Sequence, residues 1–394
     1  MGWYVVPDPV QLGVAAMPTI PRARLRTRLA LAAMRAFASR RPKSRSGDRD
    51  VSRILVVELW NIGDLVLAMP FLAQLRVLFP RAKISLLAKP IAGELLSGTG
   101  LVDEVIPADM AFASYGVRSA SKIAIDVWRT AKKLRVRDFD LAFSSRLHIR
   151  EQALLAFSGA RRTVGYPVRN NPQILTDPVA TSAEAVHKVQ SWMQLLAPFG
   201  GAGTVLIPRL HVSDVERLSA KGYLASLGLK SDELLVGLHP GASLEQKRWP
   251  LEAFREVAES IAKQPALRVV IFAEPTGFGA ELGVVPGVVS VRVPLRELIA
   301  LIAQCDLLIC NDSGPMHIAG ALGVPTVAMF GAGIGPIFAP LGENHALLQP
   351  DSDTADGGVI DGIRSPAGIR PAQVIQAVGK AVQRLRERRT LSGA

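Results

Sequence analysis

Three short polar stretches stand where polar side chains could do chemistry, each directly after an apolar run. Asn61-Ile62-Gly63-Asp64 follows "RILVVELW", "HPGASLEQKRWP" follows "ELLVGL", and Asn311-Asp312-Ser313-Gly314 follows "LLIC". Gly63 permits a tight turn or a close backbone approach. Asp64, opening a helix, suits an N-cap, and it could equally take a proton from an attacking hydroxyl. In the second stretch, Gly241 and its neighbours offer backbone donors and Ser243 a hydroxyl. Lys247 and Arg248 could meet an anion there, or could serve only as a solvated surface pair. In the third stretch, Asp312 or Ser313 can cap the helix that begins at Gly314, and bare N–H groups at a helix start also attract phosphates. No Walker-type loop, HExxH or G-x-S-x-G elbow occurs in the sequence, so phosphate contacts would have to come from helix starts and from the Lys-Arg pair.

The elements that must hold these turns are legible as alternation. "RILVVELW", "AKISLLAK" and "FDLAFSSR" read as buried strands, with helices over "LVLAMPFLAQLRVLF", "IAGELLSG" and "SKIAIDVWRTAKKLRVRD" between them. The grammar restarts at "ELLVGLHPG" and continues through "PLEAFREVAESIAKQ", "LRVVIFAE", "PLRELIALIAQC", "DLLICND", "GPMHIAGALG" and "PTVAMFG". Apolar strands alternating with helices mean a parallel sheet covered on both faces. The Gly- and Pro-rich "PFGGAGTVLIPRLHVS" separates the two series. The expectation is an α/β chain of two doubly wound, Rossmann-like domains, with the cleft between them at the carboxyl ends of the strands. The domains are expected at 51–210 and 211–375, flanked by a basic extension at 1–50 and a basic helix or tail at 376–394.

Charge and composition narrow the class. The chain has 394 residues and a formal charge of +12. Residues 1–47 carry nine Arg or Lys against one Asp, and residues 376–394 carry five against one Glu. These two ends account for the whole excess and leave the middle near neutral. A nucleic-acid groove would more often spread its charge over the folded core, so no nucleic-acid partner is expected. Basic ends can instead hold a protein loosely against anionic headgroups, or simply remain solvated. The N-terminal stretch is Arg-rich and acid-poor, as transit peptides are, but its arginines do not segregate to one helical face. Met17 offers an alternative start. No uninterrupted apolar run is long enough to span a bilayer, which takes roughly 18–20 residues. Cys305 and Cys310 match no zinc or disulfide pattern and are read as core residues of a reducing cytosol.

Taken together, "ILVVELWNIGDLVLAMPFLAQLRVLFPRAKISLLA", "FSGARRTVGY", "GLHPGASLEQKRWPLEAF" and "CNDSGPMHIAGALGVPTVAMFG" resemble glycosyltransferase family 9, the bacterial heptosyltransferase family, along most of residues 53–345. The resemblance implies a GT-B fold, with acceptor mainly on the first domain and nucleotide sugar mainly on the second. It implies inverting transfer without a required metal or other cofactor. Asp64 stands where the family has its general base, and Lys247 where a lysine meets the donor phosphates. Asp312, Ser313, Gly314 and His317 stand where the diphosphate and neighbouring sugar are held, with Gly241 and Ser243 beside them. Gly63, Arg146 and Arg150 are the acceptor-side candidates. After "VVIFA" the family has a Gly-Gly-Pro-type turn, whereas this chain has "EPTGFGAELGVVPG", with Glu274 as a candidate ribose or base contact.

The implied partners are an ADP-heptose-like donor and a glycolipid or glycan acceptor such as the lipopolysaccharide core. The implied location is cytoplasmic, with peripheral contact to the inner face of the inner membrane. The alternatives are the same fold with another nucleotide sugar and a non-lipid acceptor, or a sugar-nucleotide-binding protein without catalysis. Retention of both Asp64 and Lys247 argues against the last.

Overall fold

The apolar runs of the first half become six strands: β1 (Arg53–Val57), β2 (Lys83–Ala88), β3 (Glu104–Pro107), β4 (Leu141–Ser144), β5 (Arg162–Gly165) and β6 (Asp177–Pro178). Those of the second half become β7 (Leu234–His239), β8 (Leu267–Phe272), β9 (Val288–Val291), β10 (Leu307–Asn311), β11 (Thr326–Met329) and β12 (His345–Leu348). The computed structural model describes residues 51–108, 120–168, 172–180, 186–201, 206–229, 233–331, 335–342, 344–350 and 365–392. The basic extension expected at 1–50 lies outside the described residues. The chain divides into two compact units between Leu206 and Ile207.

In the first unit the strands pair in parallel in the order β3-β2-β1-β4-β5-β6. Its helices are α1 (Ile62–Leu78), α2 (Ile91–Leu95), α3 (Ala120–Arg135), α4 (Ile149–Phe157) and α5 (Lys188–Gln194). In β1, Ile54, Leu55, Val56 and Val57 are all fully buried, as a strand covered on both faces requires. Helix α1 is apolar nearly all round, and residues Leu65 to Leu72 are buried without a break. It can be so because one side meets the sheet, where Phe71 lies 5.3 Å from Phe143, and another meets α5, where Phe71 lies 4.8 Å from Trp192.

The second unit repeats the plan. Its parallel order, β12-β11-β10-β7-β8-β9, is that of the first sheet in chain terms: the first three strands run out one way and the next three the other. Helices α6 (Asp214–Ser226), α7 (Leu251–Ala262), α8 (Leu295–Ile302), α9 (Gly314–Leu322), α10 (Gly335–Phe338) and α11 (Pro371–Ser392) accompany it. In each sheet the order reverses once, between β1 and β4 and between β7 and β10. Ligands of doubly wound folds sit beyond the carboxyl ends of the strands at that reversal.

Two readings of the sequence gain structural content here. The basic C-terminal stretch is more than a tail. Val374, Val378, Ala381 and Val382 fall on one face of α11 and join the core of the second unit, while Arg388 and Arg389 reach back to Asn344 and Asp306 at 2.9 and 2.8 Å. Cys305 and Cys310 are free and buried, and burial pushes both thiols up.

Candidate active site

At the reversal of the first sheet, the loops leaving β1 and β4 bring charged side chains together. Asn61, in extended conformation, is the N-cap of α1, which corrects the reading of Asp64 as the cap. Asp64 is the third helical residue, and its Oδ2 accepts from the Asn61 N–H at 3.3 Å. Gly63 has ordinary helical backbone rather than a special turn conformation and is buried at the helix start. Arg146, two residues past β4, pairs with Asp64 Oδ1 and stands 3.6 Å from Glu58 Oε1. Its guanidinium also lies over the Trp60 ring at 4.8 Å, and the Trp60 Nε1–H donates to Glu151 at 2.9 Å.

The electrostatics of this cluster follow from burial and spacing. Burial works against a charge on Asp64, but Arg146 outweighs it and holds the carboxyl below its ordinary value. For Glu58 the balance reverses. Burial dominates and raises its pKa even though Arg146 opposes, and its Oε2 has no hydrogen-bond partner among the described residues. Lys188, the first residue of α5, donates to Ser145 Oγ at 2.7 Å. Burial, helped by the charge of Arg146, brings this lysine down to about 7. Lys89 donates to Asn61 Oδ1 at 2.7 Å, and burial lowers its pKa too. Arg150 lies in the first turn of α4, half-buried, with its N–H on His148 Nδ1 at 3.3 Å. The structure thus joins Asp64 to Arg146, while Glu58 and Lys188 enter unannounced. Glu58 had one signal, a charge closing the apolar run "RILVV", whereas Lys188 had none.

At the reversal of the second sheet, the loops leaving β7 and β10 meet in the same way. Lys247, in a 3-10 turn over Glu245–Lys247, donates to Asp312 Oδ2 at 2.6 Å. Asn311, fully buried at the end of β10, ties the other loop down. Its Nδ2 donates to the Pro240 carbonyl at 2.7 Å, and its Oδ1 accepts from the Trp249 N–H at 3.0 Å. A Cβ at Gly241 would run into the Glu274 side chain, so any larger residue there would have to displace it. Glu274 itself is paired with Arg248 at 3.0 Å, and Arg248 covers the Phe278 ring at 4.3 Å. Burial holds His239 neutral, with its pKa down to about 4. Ser243 is exposed on the loop.

Ser313 is the N-cap of α9, but its side chain does not cap, and its buried Oγ has no hydrogen-bond partner among the described residues. Pro315 has no N–H, and the Met316 N–H is bonded to the Ser313 carbonyl at 3.2 Å. Ser313 and Gly314 are therefore the backbone donors this turn can offer, fewer than a bare helix start would supply. His317 is buried one turn into α9. An ammonium, a small hydroxyl and two N–H groups at a helix start suit an anion with several oxygens. Among the described residues, no three His, Cys, Asp or Glu gather as a metal site.

The model of glycosyltransferase family 9 (heptosyltransferase) matches residues 127–353. Lipopolysaccharide heptosyltransferase 2 of Escherichia coli (strain K12) is 25% identical over 317 residues, covering 75% of this chain and 88% of that protein. Among solved structures, the glycosyl transferase family 9 protein from Veillonella parvula DSM 2008 superposes with a TM-score of 0.71 at 21% identity, over 85% of this chain and 99% of that one. The E. coli ADP-heptose lps heptosyltransferase II gives 0.65 at 22% identity, over 84% and 99%. These likenesses show the fold, two doubly wound units of the GT-B type.

Proposed function

The chain belongs to glycosyltransferase family 9 and is a glycosyltransferase; on that premise we propose that it moves a heptosyl group from ADP-heptose to a lipopolysaccharide-core acceptor, with inversion and without a metal. The donor and acceptor classes are those in the names of the proteins it resembles, lipopolysaccharide heptosyltransferase 2 and ADP-heptose lps heptosyltransferase II. The observation that carries the reading is the pair of clusters at equivalent reversals of the two sheets. One holds the carboxylate Asp64 ionised beside Arg146, and the other holds Lys247 beside Asp312.

In this reading the first unit takes the acceptor, with Gly63, Arg146 and Arg150 beside it. The acceptor hydroxyl attacks the anomeric carbon as Asp64 accepts its proton, and the bond to the diphosphate breaks on the opposite face. A single displacement of this kind inverts the centre. The second unit receives the leaving group. Charge growing on the diphosphate is met by Lys247, by the Ser313 hydroxyl and by the N–H groups of Ser313 and Gly314, with Gly241, Ser243, Asp312 and His317 completing the donor side. Asp312 holds Lys247 in place until the phosphates take over part of that contact.

The test is Asp64→Asn. The amide keeps the shape and can still accept from Asn61, so ADP-heptose should bind as before while turnover falls by roughly 10²–10⁴-fold. Normal turnover would leave Asp64 a structural residue. A lipid-linked acceptor further supports a peripheral location at the inner face of the membrane. No helix among the described residues is long and apolar enough to cross it, and residues 1–47 supply net positive charge.

A further inference from the structure

The helix α3 turns the wrong residues outward. Val127, Ala131 and Leu134, spaced i, i+4 and i+7, are buried against the first unit. The opposite stripe, Ile125, Trp128, Arg129 and Lys132, follows the same spacing but faces solvent, and Val136 continues it just past the helix end. A helix with one covered face ordinarily presents polar residues on the other. Here Ile125 is 47% exposed, Trp128 63% and Val136 83%. Around them stand the exposed cations Arg129, Lys132, Lys133 and Arg135. Lys132 Nζ lies 5.6 Å from the centre of the Trp128 ring. The acidic groups nearby in sequence do not offset this charge: Asp126 is half-buried on the helix flank, and Asp138 is engaged by Arg161 at 3.6 Å.

We propose that the outward face of α3 docks on an anionic lipid surface, with Trp128 and Ile125 entering the headgroup region and Arg129, Lys132 and Lys133 pairing with lipid phosphates. The proposal deepens the peripheral location above and rests on that reading for its biological sense, but its physical basis is this surface alone. The residue mixture selects the partner. Tryptophan and lysine together suit a bilayer interface, where the indole is half-immersed and the long cationic stems reach up to phosphate. A protein interface would also accept the tryptophan but is ordinarily depleted of lysine. The cations meet a negative surface, which supplies the charge complementarity the face lacks on its own unit.

Sedimentation of the full chain with phosphatidylcholine vesicles, with and without a quarter of phosphatidylglycerol, tests this. Arg129→Gln, Lys132→Gln and Lys133→Gln combined should weaken binding to the anionic vesicles by roughly fivefold per cation removed, the change that about 1 kcal/mol produces. Trp128→Ser should weaken it several-fold at high salt as well as low, because an inserted ring is not screened. The same changes are made in a chain whose Arg22, Arg24, Arg26 and Arg28 are replaced by Gln, so that binding through the N-terminal extension cannot hide the effect. Trp128, Arg129, Lys132 and Lys133 are exposed, so their replacement is expected to leave thermal unfolding unchanged, and this is checked. Turnover on a soluble acceptor fragment should stay intact. Its loss would bear on the enzymatic reading and not on docking. Vesicle binding equal to that of the parent in both backgrounds overturns the proposal, and a concurrent change in self-association would assign the face to a second copy of the chain.

Discussion

Individual side chains in the two clusters are poised by their neighbours, and their substitutions have distinct signatures. Lys247 faces Asp312 at 2.6 Å. Lys247→Ala is expected to weaken nucleotide-sugar binding by about 1.5–3 kcal/mol, the scale of a charged hydrogen bond, and titration calorimetry reads this directly. Arg248 is already engaged by Glu274 and Phe278, so Arg248→Ala should matter less to the donor than to the loop. Glu58 makes a subtler prediction. Asp64 loses its proton at a depressed pKa and Glu58 only at a raised one, so the two ionise in that order as pH rises. In the proposed mechanism, Arg146 serves Asp64 alone until Glu58 ionises, and dulls it as a base. Once Glu58 is charged it competes for the guanidinium, and turnover rises across that step. Glu58→Gln should remove the step and leave turnover on the lower plateau, with KM little changed. A step that survives in the variant would clear Glu58 of any such influence.

At the scale of elements, the cluster of Lys247 and Asp312 is held by one buried amide. Asn311 on β10 bonds the Pro240 carbonyl and the Trp249 N–H, and so fixes both ends of the loop that carries Lys247. Asn311→Ala leaves those groups buried and unpaired. It should cost about 2–3 kcal/mol in urea unfolding and, on the proposed reading, also lower donor affinity, although Asn311 itself is fully buried. Stability lost with donor affinity intact would mean the loop does not need the clamp. Strand ends and helix starts were legible because apolar runs stop at polar turns. Which residue caps was not, since Asn61 and Asp64 are both good caps, and only the backbone shows that Asn61 lies outside α1.

At the scale of the molecule, the second unit carries a built-in acid sensitivity. His239 and His345 are buried, and burial brings each down to about 4. When an imidazole's pKa is depressed in the folded state, the unfolded chain binds more protons between the two values, so acid there favours unfolding. Their contribution is present above about 6.5 and is lost as pH falls from there toward about 4. The urea midpoint of the unit at 207–394 should therefore drop between neutral pH and about pH 4.5, and His345→Gln should shrink the drop. An equal drop with and without His345 would assign the acid lability to carboxylates.

What the sequence by itself determined was local in origin. Buried parallel strands announce themselves as runs of Val, Ile and Leu, and the turns after them as Asn, Asp, Ser and Gly, so the two doubly wound series and the residues Asp64, Lys247 and Asp312 could be read in order. What only the tertiary structure decided were contacts between residues far apart in the chain. Arg146 meets Asp64 because β4 lies beside β1, and Lys188 joins them because α5 packs on α1. Glu58 keeps its proton longer because burial, which no local pattern encodes, outweighs a nearby guanidinium. The same holds at the surface. Trp128 and Val127 are neighbours in an amphipathic pattern, and only the side on which the first unit lies determines that the valine is covered while the tryptophan faces outward.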